Sequence, residues 1–222
     1  MDNFLPLLRK SPLFDSIDED SLQKLCKCLS SCQKKLPKDD FVFHAGDEAR
    51  FVYLILQGSM YILSEDFWGN RSIIENIPCF TLFGEAYALA STQFHLVSVR
   101  AAEDSLVLQI DPRRLFDTCA NRCACHLQLI HNTAYILSEK IVLLTQKLGH
   151  VSQRTLREKI LSYLSQCAWQ QNSSSFSIPY SRQELADYLC VDRSALSHEL
   201  SRMRTAGLLD YRKSSFTLLE KP

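Results

Sequence analysis

The residues with the most chemistry to offer lie in the last third of the chain. Arg193, Ser194 and Ser197 follow Asp192, a helix-capping residue type, and His198 and Arg202 continue along the same side of the helix that Asp192 would open. An arginine at the start of such a helix can donate two hydrogen bonds to O6 and N7 of guanine, which discriminates against other bases by about 1–3 kcal/mol. Arg182 stands at the start of the preceding helix, and Arg212 and Lys213 occupy a polar turn further on, where cations meet phosphate. Any one of these arginines alone reads best as part of a solvated face. Their occurrence together with two capped helices is what points to a nucleic-acid surface.

The cysteines form the second set. There are nine. Cys26, Cys28 and Cys32 fall in one expected helix, with Cys26 on its apolar face and Cys28 and Cys32 sharing another at a four-residue step. Cys119, Cys123 and Cys125 cluster near His126, and these thiols, with Cys28 and Cys32, are candidates for a metal, an iron-sulfur cluster, haem or redox sensing. No pair of two-residue spacings of the zinc type occurs, so inert thiols are the competing reading.

Elements must position both sets. Residues 16–35 read as a helix, with an acidic first turn and Leu22, Leu25, Cys26 and Leu29 on one face. From Phe41 to Ile110 short β-rich runs alternate with glycine corners at Gly46, Gly58 and Gly69, the pattern of an antiparallel sandwich or barrel. Asp111-Pro112 opens a helix, and a break is expected near Asn121 to Cys125. Leu127, Ile130, Ala134, Leu137, Ile141, Leu144, Leu148 and Val151 then recur at alternating steps of three and four with no polar member. That is a coiled-coil seam, which predicts a homodimer. A further helix is expected over 154–168 and a polar loop over 170–175. Ser181-Arg182-Gln183-Glu184 is a capping box, with Leu185, Ala186 and Leu189 turned inward. Cys190-Val191 turns the chain, the helix from Asp192 runs through Met203, and two short strands follow as a hairpin. This order describes a winged helix-turn-helix.

Composition bounds the class. Lys plus Arg is 25, Asp plus Glu is 25, and 46% of residues are hydrophobic, as in an ordinary globular protein. The balance hides an asymmetry: residues 1–150 hold 15 basic and 18 acidic side chains, residues 151–222 hold 10 and 7. A basic C-terminal part suits phosphate. No apolar run is long and uninterrupted enough to span a bilayer, and no secretion signal opens the chain, so a cytoplasmic location with reduced thiols is expected and no membrane partner.

With these motifs in place, the chain resembles the Crp/Fnr superfamily of bacterial transcription regulators. The resemblance rests on Phe43-His44-Ala45-Gly46-Asp47, Gln57-Gly58-Ser59, Phe83-Gly84-Glu85, the seam helix, and residues 181–200. It implies an α+β chain in three parts: a double-stranded β-helix (jelly-roll) sensor domain over 1–125, a dimerisation helix over 126–151, and a winged helix-turn-helix domain over 152–222. It also implies double-stranded DNA with a palindromic site and RNA polymerase as partners, and an effector pocket bounded by Gly84, Glu85, Tyr87, His95 and Leu96 on one side and by residues from His131 to Tyr135 on the other. Departures matter equally. Members that bind cyclic nucleotides resemble one another in a Gly-Glu followed by Arg-Ser or Arg-Thr, and here the later pair aligns with His95-Leu96. A cyclic phosphate would lack its bidentate partner, so the effector, though unknown, is expected not to be cyclic AMP. In the recognition helix only Arg193 of the usual arginine-glutamate start is kept, so a different operator is expected. Cys190 stands where the family often has glycine, which implies a modest backbone cost if that position is left-handed.

A jelly-roll metal enzyme needs clustered histidines and a carboxylate, whereas His44 and His95 are far apart and no His-x-His pair occurs, so no enzymatic activity is expected. A cyclic-nucleotide adaptor without DNA binding leaves residues 181–219 unexplained.

Overall fold

A computed structural model describes residues 5–29, 31–65, 71–90, 93–116 and 124–219. The chain divides into two compact units, Met1–Leu137 and Ser138–Pro222. Each has its own core.

In the first unit a short helix α1 (Leu5–Leu8) and a 3₁₀ turn (Pro12–Phe14) precede α2 (Glu19–Cys28). Asp18 caps α2 by accepting from the backbone N–H of Ser21 at 2.9 Å, as its acidic first turn foretells. The strands that follow are β1 (Cys32–Leu36), β2 (Phe41–Phe43), β3 (Val52–Gln57), β4 (Met60–Glu65), β5 (Arg71–Ile77) and β6 (Leu82–Phe83). Helix α3 (Glu85–Leu89), strands β7 (Ser98–Ala101) and β8 (Ser105–Ile110), and helix α4 (Pro112–Phe116) complete the domain. They form two four-stranded antiparallel sheets, ordered β1-β8-β3-β6 and β2-β7-β4-β5. Strand β3 shows how they pack. Tyr53 and Ile55 face the second sheet, whereas Val52, Leu54 and Leu56 join Leu8, Leu13, Leu22, Leu25 and Leu29 of the N-terminal segment in a separate core. A strand buried on both faces needs an unbroken apolar run, which Val52–Leu56 is. At the Gln57–Ser59 corner, Gly58 has φ 82°, and a Cβ there would clash with Ser105 Oγ and lie 2.9 Å from the Asp104 carbonyl oxygen. Glycine is required.

The single helix expected over 16–35 is corrected. Helix α2 ends at a Leu29 cap, and Cys32–Leu36 becomes strand β1, paired with β8 from Cys32↔Gln109 to Leu36↔Ser105. Cys28 and Cys32 therefore share no helical face. The segment is a largely exposed edge strand carrying Lys34 and Lys35, and such strands show no apolar period to read.

Helix α5 (Ala124–Val151) runs unbroken through the expected seam and across the division between the units. In the second unit α6 (Leu156–Gln170) opens on a capping box between Thr155 and Glu158, and β9 (Ser175–Ser177), a strand the sequence pattern did not mark, follows at the end of the expected loop. Helices α7 (Arg182–Tyr188) and α8 (Arg193–Thr205) precede the hairpin β10 (Leu209–Arg212) and β11 (Ser215–Leu218). Strand β9 pairs with β11, so the wing is a three-stranded sheet. Leu185, Ala186, Leu189, Leu196, Leu200 and Met203 are buried together with Ile160, Leu164 and Phe216, as the sequence pattern requires.

Candidate nucleic-acid interface

The two helices of the expected reading unit are held by their caps. Ser181 and Glu184 exchange both capping-box hydrogen bonds, at 2.7 and 3.3 Å, and Asp192 accepts from Ala195 N–H at 2.9 Å. Between them α7 ends in a Schellman turn. Val191 N–H donates to the Ala186 carbonyl, Cys190 N–H donates to that of Asp187, and Cys190 has φ 54°, so the position is left-handed and carries the backbone cost a glycine would avoid. This turn fixes the angle at which α8 leaves α7.

On α8, Leu196, Leu200 and Met203 are buried, while Arg193, Ser194, His198 and Arg202 are exposed and Ser197 is half-buried. The side chains of Arg193 and His198 make no hydrogen bond or ion pair among the described residues, nor do those of Arg212 and Lys213 on the wing. Arg193, Arg212 and Lys213 are thus cations held on structured elements without an internal counter-charge, with the His198 imidazole beside Arg193 on α8. Arg182 differs. Its guanidinium lies over Tyr211 at 5.0 Å and Phe216 at 5.6 Å and donates to the Lys213 carbonyl at 3.5 Å. Burial pulls its pKa below the usual range, opposed by Tyr211. Arg204 covers Tyr211 from 5.6 Å and pairs with Asp210 at 2.8 Å.

Sequence reading did not single out Arg157, Glu199 or Tyr211. Glu199 accepts from Arg157 Nε at 2.7 Å and pairs with Arg202 at 3.4 Å, although 42 residues separate it from Arg157. No local spacing reveals such a contact. It appears only once α6 packs on α8.

In the β-sheet unit the structure brings together part of the expected pocket. Gly84 (φ 79°) starts α3, and Glu85 beside it is buried. His95 is 1% exposed, stacks on Phe43 with ring centroids 3.6 Å apart, and meets the edge of Tyr87 at 5.3 Å. Tyr53 and Phe83 extend this aromatic cluster. Burial lowers the His95 pKa, with the Asp47 carboxylate acting against it. Leu96 (72% exposed), His131 and Tyr135 lie on the surface.

Cys26 and Cys125 pack against the core around α2, where burial raises the Cys26 thiol to about 11. Cys119 and Cys123 lie outside the described residues. Among those described, no three His, Cys, Asp or Glu side chains converge as a metal site, and no helix is long and apolar enough to cross a membrane.

A two-sheet domain, a long helix and a capped helix pair with a wing define a class of transcription regulators. Comparison with known proteins agrees. Residues 33–122 match the cyclic nucleotide-binding domain model and residues 158–222 the Crp-like helix-turn-helix domain model, together well over half of the chain. Regulatory protein HlyX of Actinobacillus pleuropneumoniae is 23% identical over 84% of this chain and 77% of its own length. Transcriptional activator protein Anr of Pseudomonas aeruginosa is 26% identical over 86% of this chain and 77% of its own. Among solved structures, the c-di-GMP responsive global regulator CLP of Xanthomonas campestris superposes with a TM-score of 0.58 at 20% identity, covering 92% of this chain and all of that one. The chain belongs to the Crp/Fnr family of transcription regulators.

Proposed function

We propose that the chain acts as a homodimer that binds a two-fold symmetric DNA site through α8 and responds to an effector other than a cyclic nucleotide. What carries the DNA reading is the grouping of Arg193 and His198 on a capped helix with Arg212 and Lys213 on the adjoining wing, all without internal counter-charges among the described residues. Arg193, Ser194, Ser197 and His198 reach base edges, Arg202, Arg212 and Lys213 meet phosphate, and Arg182 holds the wing turn in place through Tyr211 and Phe216. The dimer reading rests on Ile141, Leu144 and Leu148, each about two-thirds exposed in one chain. Fully burying such side chains against a second copy stabilises by about 1.5–3 kcal/mol each. RNA polymerase is the natural further partner of a DNA-bound regulator of this family.

For the effector, the observation is chemical. Buried Glu85 stands near a domain interior filled by Phe43, Tyr53, Phe83 and His95, and the arginine of the cyclic-nucleotide pattern is absent. An anionic ligand would be desolvated beside a carboxylate, so an uncharged or cationic effector fits.

Selection from random DNA followed by footprinting tests the DNA reading. The expected result is an inverted repeat with half-sites about one helical turn apart. Failure to enrich any sequence would overturn it. Calorimetry with cyclic AMP and cyclic GMP tests the effector reading, where micromolar binding of either is the contrary result.

A further inference from the structure

A groove of about 460 Å³ runs along α8, lined by Arg157, His198, Ser201, Arg202, Thr205 and Ala206. Three of its six walls are basic groups. The nearest carboxylate, Glu199, has a side chain only 12% exposed and holds both arginines from below, Arg157 through Nε at 2.7 Å and Arg202 through a terminal nitrogen at 3.4 Å. Each guanidinium keeps further N–H donors for a ligand outside. An arginine already fixed by one planar contact loses less side-chain freedom when it takes a second, so the pair is pre-ordered for an anion.

The geometry points to a DNA-backbone phosphate site in this groove, with Arg157 as a phosphate ligand and Glu199 as the residue that positions it. The inference rests on the DNA-binding reading above and extends the contact surface from α8 and the wing to α6. It makes a prediction opposite to simple electrostatics. Removing the Glu199 charge raises the net charge by one and, by attraction alone, tightens binding to any DNA. If Glu199 positions the arginines, its removal frees two flexible side chains and weakens binding.

The experiment measures dissociation constants for the full-length protein on a random-sequence duplex and on a selected site, across a range of salt concentrations. Arg157→Gln is expected to weaken both DNAs by a similar factor and to lower the salt slope by about one. Glu199→Gln is expected to weaken both despite its added charge. Should that variant fail to fold by circular dichroism, Arg157→Lys carries the test, because it keeps the charge but loses the guanidinium plane that meets Glu199 and phosphate together. Weaker binding with an unchanged slope is then expected. A wild-type salt slope for Arg157→Gln, tighter binding by Glu199→Gln, or unchanged affinity for Arg157→Lys would each overturn the inference. Absence of salt-dependent binding by the wild-type protein would instead overturn the DNA reading itself, so the two failures are distinguishable.

Discussion

Cys190 holds a backbone conformation that glycine adopts freely and other residues do not. Its φ of 54° is imposed by the Schellman turn between α7 and α8, and the left-handed form costs an L-residue about 1–2 kcal/mol. Glycine would remove that cost but lose about 0.5–1 kcal/mol through its freer unfolded state. Because the cysteine side chain is exposed, little packing is lost. Cys190→Gly is therefore expected to raise the unfolding free energy by about 0.5–1 kcal/mol, read as a higher urea midpoint at constant slope. A lower midpoint would show that the thiol contributes something the turn geometry does not reveal. This position was legible in the sequence because turn chemistry is local. The bridge from Arg157 through Glu199 to Arg202 was not, since a contact across 42 residues depends on how α6 and α8 pack.

At the scale of elements, strong local signals survived and weak ones did not. Helix α5 was readable because eight apolar residues repeat in a seam, and the capping box at Ser181 and the Asp192 cap are written in four residues each. Strands β1, β6 and β9 were missed because they are short or polar. Their pairing is supplied by β8, β3 and β11, so no property of their own sequence marks them. The exposed stripe on α5 is also broader than a strict seam, since Val142 and Leu143 are exposed beside Ile141 and Leu144. Introducing Glu at both Leu137 and Leu144 places like charges opposite one another in the proposed dimer. Monomers are expected by sedimentation, together with weakened DNA binding. A double variant that sediments as the wild-type dimer would move the interface off this helix.

Over the whole molecule, the order of the motifs carried more than any one of them. Glycine corners, a Gly-Glu, an apolar seam and a capped helix pair in that sequence fix the α+β architecture, because each marks a joint rather than a surface. Surface properties such as pocket lining depend on packing, which is why Leu96, His131 and Tyr135 were grouped with His95 in sequence yet lie exposed. Burial also sets the response to acid. His95, His126 and His150 are all buried, and desolvation lowers the pKa of each, so the folded chain holds them neutral where the unfolded chain begins to protonate near pH 6.5. The unfolded state then binds more protons, and stability falls as pH drops from 7.5 to 5, by at most about 1.4 kcal/mol per pH unit for each histidine. Asp18, Glu48, Asp111 and Glu184 are held below the usual carboxylate range by their hydrogen bonds, so their contributions are lost only at lower pH. Urea unfolding at pH 7.5 and pH 5 should therefore show a lower midpoint in acid. His150→Gln, which keeps a polar partner for Ser162 Oγ, 2.8 Å from His150 Nδ1, but cannot protonate, should shrink that difference. Equal midpoints at the two pH values would mean that the folded chain accepts these protons as readily as the unfolded one, and that the three imidazoles reach water.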